Sequence, residues 1–577
     1  MQFGMRIGAL AATCFAATLA GCGGGGSAVS SPPEQAVAQA APRVPPEAAL
    51  SARDANRLAD QASFGATEGL VANIRAQGAA AWIASQMTLS SSRYQIGGDA
   101  GVHQVSAPTA YCLLPAHQSP TCWRDNLSTQ PLLWDFYRNA VGQPDQLRQR
   151  VAFALQQIVV VSGVEVTGTY GFRNYHNNLL DNAFGNYRQV LTKVALSPVM
   201  GDFLNNANND KAAPNENFAR ELLQLFSIGT CDLNIDGTLK GGKCGATYDN
   251  DMVRTYAYAL TGWTYPAGGT TAWGCWPVGA NCRFYGADMA PFASYHDSAG
   301  RKLLSGVALA AGHSSEVALE RVLDSLMAHP NIAPFVGKRL IQHLVASNPS
   351  AAYVGRVAAA FASGSYSGGG RRFGSGKAGD LAASVAAVLL DSEARSAGAR
   401  NAGKLREPVL MFTGVLRALN GKTDGDVFSW WGEGLRQHAF RPPSVFNYYP
   451  PDYPVPGTTL TGPAFGVHNA SAALERLNYL AWLIDWGGGA ADPSVPGAVG
   501  TQTDLSAFVG TAADAAALVD RIAVLALGQP LAGAPRDEVI KAVALWTPAI
   551  DKDNWQVNRV KTAAYLVFGS PNYQMQR

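Results

Sequence analysis

The chain predicts a mainly α-helical fold. Apolar residues recur at three- and four-residue spacing over most of residues 50–577, and the alternation that marks a half-buried strand is scarce. Size agrees: 577 residues, 47% apolar and 15% charged, suffice to bury a large core of helices packed side by side. The formal net charge of +2 supplies no concentrated basic face, which speaks against a nucleic-acid partner.

Residues 1–21 have the make-up of an export signal. Arg6 gives the positive start, and 7–19 is apolar but too short to span a bilayer. The stretch closes on Leu19-Ala20-Gly21-Cys22, which resembles a bacterial lipobox. That resemblance implies cleavage before Cys22 and lipid attached to it, holding the protein in a membrane. The alternative is an ordinary cleaved signal with an incidental cysteine. Gly23, in place of an aspartate after the cysteine, points to the outer membrane if the cell is Gram-negative. Residues 22–49, rich in Gly, Ser, Pro, Ala and Gln, read as a flexible tether, and 50–577 as one domain.

Within that domain Ser51 can cap a first helix starting at Ala52. Helical spacing follows over 146–162, with Leu147, Val151, Ala154, Leu155 and Ile158 on one face, and over 215–228, with Phe218, Leu222, Leu225 and Phe226 on one stripe. It continues over 249–260, 315–327, 330–345, 351–361, 380–390, 404–419, 471–484, 513–527 and 554–568. Two stretches interrupt the series. Residues 231–304 carry four cysteines with Trp263, Trp273 and Trp276, and read as a structured, irregular excursion with short strands. Residues 363–379, rich in Gly and Ser, read as a mobile loop.

With Cys14 in the signal and Cys22 committed to lipid, six cysteines remain as Cys112/Cys122, Cys231/Cys244 and Cys275/Cys282. Close-set pairs in an exported chain read as local disulfides. Zinc is the competing reading, and no Cys-x-x-Cys pair supports it.

The densest chemistry lies in Asn215-Glu216-Asn217-Phe218-Ala219-Arg220-Glu221-Leu222-Leu223-Gln224-Leu225-Phe226. On a helix Glu216 and Arg220 share a face, as do Asn217 and Glu221. One Glu held by Arg and a second in another environment can act as acid and base, or the same charges can tie neighbouring helices together. Glu221 borders the apolar stripe and needs a partner there, with Lys404, Arg406 and Arg441 as candidates. His296 and His329 can each serve as base or ligand. Asp232-Leu233-Asn234-Ile235-Asp236-Gly237 matches the first half of an EF-hand loop, with Asp232, Asn234 and Asp236 as calcium ligands. Lys243 stands where the loop needs its bidentate Glu. The alternative is a turn built from Asn, Asp and Gly.

Several phrases occur together in one bacterial family. They are the 215–226 run, Arg57-Leu58-Ala59-Asp60-Gln61-Ala62-Ser63-Phe64-Gly65, Ala259-Leu260-Thr261-Gly262-Trp263, Lys404-Leu405-Arg406-Glu407-Pro408, and Arg441-Pro442-Pro443-Ser444-Val445-Phe446-Asn447-Tyr448-Tyr449. From about Arg57 to Arg577 the chain resembles the family catalogued as domain of unknown function 1800. The resemblance implies one large domain and carries no established activity. Three functional readings stand side by side. The first is an envelope binding or assembly lipoprotein acting on a polymer or an exported partner protein. The second is a hydrolase of an extracytoplasmic polymer, using Glu216 or Glu221 as acid or base with Arg220 and His296 beside them. The third is a calcium-stabilised structural protein.

Overall fold

The computed structural model describes residues 50–104, 108–271, 274–396 and 403–577. The export signal, Cys22, the tether and Trp273 lie outside the described residues. Helices dominate the rest, and the strands among the described residues form short antiparallel pairs, so the fold is mainly α as expected.

Short polar side chains start many helices where the sequence places them. Ser51 Oγ accepts the N–H of Asp54 at 3.1 Å, Asp249 Oδ1 that of Met252 at 2.8 Å, and Asp380 Oδ1 that of Ala383 at 2.9 Å. Each satisfies a backbone donor that the first helical turn leaves free. The apolar faces then merge into one contiguous core that runs from Ala55 to Tyr573. Helix Ile332–Leu344 lies within it, packed on Ala351–Ser363, Leu381–Leu390 and Gln146–Gln156.

Three expectations are corrected. The helix predicted over 146–162 ends at Gln156. The β-branched run Ile158-Val159-Val160-Val161 leaves the helix and stays buried. Residues 363–379 form a hairpin, Tyr366–Gly368 against Arg371–Phe373. Gly369 and Gly370 turn it with φ of 53° and 71°, the region a two-residue hairpin turn requires. Lys404 and Leu405 are a strand paired with Gln576 and Met575, and the helix begins only at Pro408. A proline disfavours helix in the residue before it and suits a first turn, which needs no N–H there.

That strand fastens distant parts of the chain together. Arg406 reaches Asp60 on helix Ala52–Ala62 with two parallel bonds of 2.6 and 2.8 Å, and its Nε donates to Tyr573 O. Gln576 Nε2 donates to Leu344 O at 3.0 Å.

The six cysteines are joined as Cys112–Cys122, Cys231–Cys244 and Cys275–Cys282. Such bonds persist in oxidising, extracytoplasmic compartments. Among the described residues no helix is long and apolar enough to cross a membrane.

Candidate functional site

Helix Asn217–Gln224 splits the carboxylates of the 215–226 phrase between two environments. Glu216 pairs with Arg220 at 3.0 Å and faces Arg254 at 3.6 Å, all at a partly exposed surface. Asn217 is exposed and donates to Asn205 Oδ1. Glu221 turns inward. Its Oε2 is buried without a hydrogen-bond partner, as is the Tyr248 hydroxyl. Burial raises the Glu221 carboxyl above its usual range, against the pull of Arg220. Arg220 thus stands between a solvated carboxylate that it bonds, Glu216, and a half-buried one that it only attracts, Glu221. The expected partners of Glu221 are also engaged elsewhere: Lys404 with Glu407, Arg406 with Asp60 and Arg441 with Glu433.

His296 stands apart from these groups. Its Nδ1 bonds Thr261 O at 2.9 Å and its Nε2 meets His313 Nδ1 at 3.0 Å. Gly262, at φ +81°, lets it in, because a Cβ there would collide with His296. His329 Nδ1 accepts the Asn331 N–H and so serves a helix start. In the acidic loop Asp236 Oδ1 accepts from both the N–H and the hydroxyl of Thr238, while the Asn234 amide donates to Thr238 Oγ1. The loop is built as the Asn/Asp/Gly turn, closed by Cys231–Cys244. Among the described residues no three His, Cys, Asp or Glu side chains converge as a metal site.

What does converge is centred on Glu407, which is fully buried. Its Oε1 accepts from Lys404 Nζ at 3.0 Å, and its Oε2 accepts from Gln437 Nε2 at 2.7 Å and the Tyr449 hydroxyl at 2.9 Å. Lys404 Nζ also donates to His343 O at 2.6 Å, and Arg150 NH2 donates to the same carbonyl at 2.6 Å. The Gln157 amide bonds the Asn447 amide at 3.2 Å and meets the Tyr449 hydroxyl oxygen at 3.3 Å, the one proton of that hydroxyl being on the bond to Glu407. Above this network lies a cavity of about 60 Å³, room for several waters or a small chemical group. Lys404, His343 and Gln157 line its polar side with Arg339; Ile158, Leu225, Val445 and Pro463 line its apolar side. Phe446, half exposed, also lines it.

A family model described as "Protein of unknown function (DUF1800)" matches residues 57–575. The chain belongs to that family. No curated protein and no solved structure matches it. Stretches that lie far apart in sequence meet at the cavity: Leu225 comes from the 215–226 run, Lys404 from 404–408, and Asn447 and Tyr449 from 441–449.

Charge in this DUF1800 site is unevenly matched. Burial alone pushes the Glu407 carboxyl up, but Lys404, Arg150, His343 and the Gln437 bond outweigh it and hold it at about 2. Burial, with Arg150 nearby, brings Lys404 down to about 8 against the attraction of Glu407. Burial and the cations Lys404, Arg150 and Arg339 bring His343 down to about 3. Sequence reading passed over Arg150, Gln157, Arg339, Glu407 and Gln437 as functional residues. The one signal available was the set of charges before Pro408.

Proposed function

We propose that the protein is an exported, lipid-anchored binding protein of the bacterial envelope, and that its ligand site is the cavity beside Glu407. The observation that carries this is the convergence of three distant stretches, 215–226, 404–408 and 441–449, on one small cavity with a buried polar network beneath it. The network holds the walls rigid, since every acceptor of Glu407 is engaged. The apolar side and the Phe446 ring offer contact area, as ligand sites do. The ligand group is presented by an envelope polymer or an exported partner protein. The three disulfides and the lipobox at Cys22 favour an extracytoplasmic place at a membrane. A hydrolase reading loses ground because Glu216, Glu221 and His296 do not line this cavity.

Two measurements test the proposal. In ligand-observed NMR with the full chain, a neutral aromatic probe such as benzamide binds the wild type. Binding weakens in Phe446→Ala and persists in Glu221→Gln. Loss in Glu221→Gln with Phe446→Ala unaffected moves the site away from the cavity. In cells, Cys22→Ala releases the protein from the membrane pellet or leaves its precursor uncleaved. Unchanged processing and membrane association remove the anchor from the proposal.

A further inference from the structure

We propose that a second site, a surface cleft lined by Trp430, Gln130, Glu433, His438 and Arg441, binds a neutral saccharide unit. The cleft measures about 190 Å³ and shares no lining residue with the cavity beside Glu407. Trp430 stands on the short helix Phe428–Gly434 with half of its side chain open to solvent. The Trp431 ring packs against it at 4.4 Å between centroids, and the Trp482 ring at 5.8 Å. Held by two further indoles, it offers a broad, rigid contact surface at little cost in side-chain freedom. Covering that open half with the apolar face of a ligand takes further apolar area out of water.

The polar groups around the indole decide the ligand's chemistry. Gln130 Nε2 donates to Asp426 Oδ1 at 2.7 Å, an oxygen that also accepts the Trp134 N–H at 3.0 Å. The other end of that amide, Oε1, is therefore the acceptor left for a ligand. Burial, with Arg441 beside it, brings His438 down to about 3, so it meets the cleft as a neutral imidazole. Arg441 is paired with Glu433, and these two are the only charged side chains lining the cleft among the described residues. Their charges cancel, so a charged ligand finds no unpaired counter-charge. A wholly apolar ligand would take the Gln130 carbonyl and the ion pair out of water without partners. A sugar ring answers both demands. One of its faces is C–H, which suits the indole, and its rim carries hydroxyls that donate and accept at once.

Ligand-observed NMR on the full chain decides it, with maltotriose, cellotriose and chitotriose as neutral probes and trigalacturonate as the charged one. At least one neutral trisaccharide is expected to bind the wild type, and more tightly than trigalacturonate. Trp430→Ala is expected to weaken that binding about tenfold. Trp486→Ala, which removes an indole that is 78% exposed and lies outside the cleft, is expected to leave it unchanged. Failure of all three neutral probes to bind overturns the inference. Equal or tighter binding of trigalacturonate overturns the neutral assignment. Full binding in Trp430→Ala overturns the placement of the sugar in this cleft. The comparison among probes on the wild type needs no variant, so a poorly folded Trp430→Ala does not rescue the proposal.

Discussion

Glu407 has no contact with water, yet it stays ionised because three donors meet its two oxygens and Arg150 stands behind them. Removing that charge while keeping the shape leaves Lys404 and Arg150 as buried cations without an anion. Glu407→Gln is therefore expected to cost on the order of 3–5 kcal/mol of stability, read by chemical denaturation. A loss under about 1 kcal/mol would mean that water reaches the cluster and that the network does not hold the cavity walls. None of this was legible from the sequence. The partners of Glu407 lie 3, 30 and 42 residues away, and the carbonyl shared by Lys404 and Arg150 comes from yet another helix. Local spacing can pair Glu216 with Arg220 four residues on, and it did so correctly. It cannot pair residues that only the finished fold brings together.

Helices were legible because their apolar faces repeat and their caps precede them. The helix Ser315–Met327 spans the residues its spacing predicts, and Asp380 caps the helix that follows it. The errors sit where backbone chemistry overrides pattern: Pro408 excludes Lys404 from a helix, and paired glycines turn 363–379 into a hairpin instead of a mobile loop. A third backbone constraint is Gly262, in the turn after helix Asn250–Ala259. Gly262→Ala places a Cβ against His296 in a conformation that L residues rarely adopt. The change is expected to lower stability by about 1–3 kcal/mol and to move His296 away from His313. Thermal melting and the imidazole NMR signals check it; unaltered His296 and His313 signals would show that the turn absorbs the side chain.

For the molecule as a whole, burial of imidazoles sets the response to acid. Burial brings His103, His176, His343 and His438 each down to about 3. These groups stay neutral in the folded chain, while the unfolded chain protonates them below about pH 6.5. Unfolding then takes up protons, so stability is full above pH 6.5 and falls as pH drops toward 3. Glu407, held at about 2, adds a loss in the same direction below about pH 4.5. The melting temperature is expected to decline steadily from pH 7 to pH 4, and a flat profile would show that these rings are hydrated. The strand pairing of Lys404-Leu405 with Met575-Gln576 has a different consequence, one of timing. A chain is made from its amino end, so Lys404 is in place well before the residues that pin its strand. Until residues 575–576 follow, Lys404, which lines the cavity, has no strand partner. The candidate site is thus among the last parts of the fold to gain all of its ties. A chain that stops just short of that strand keeps its helices and leaves Lys404-Leu405 as an unpaired edge, the kind of backbone a protease or another chain would find.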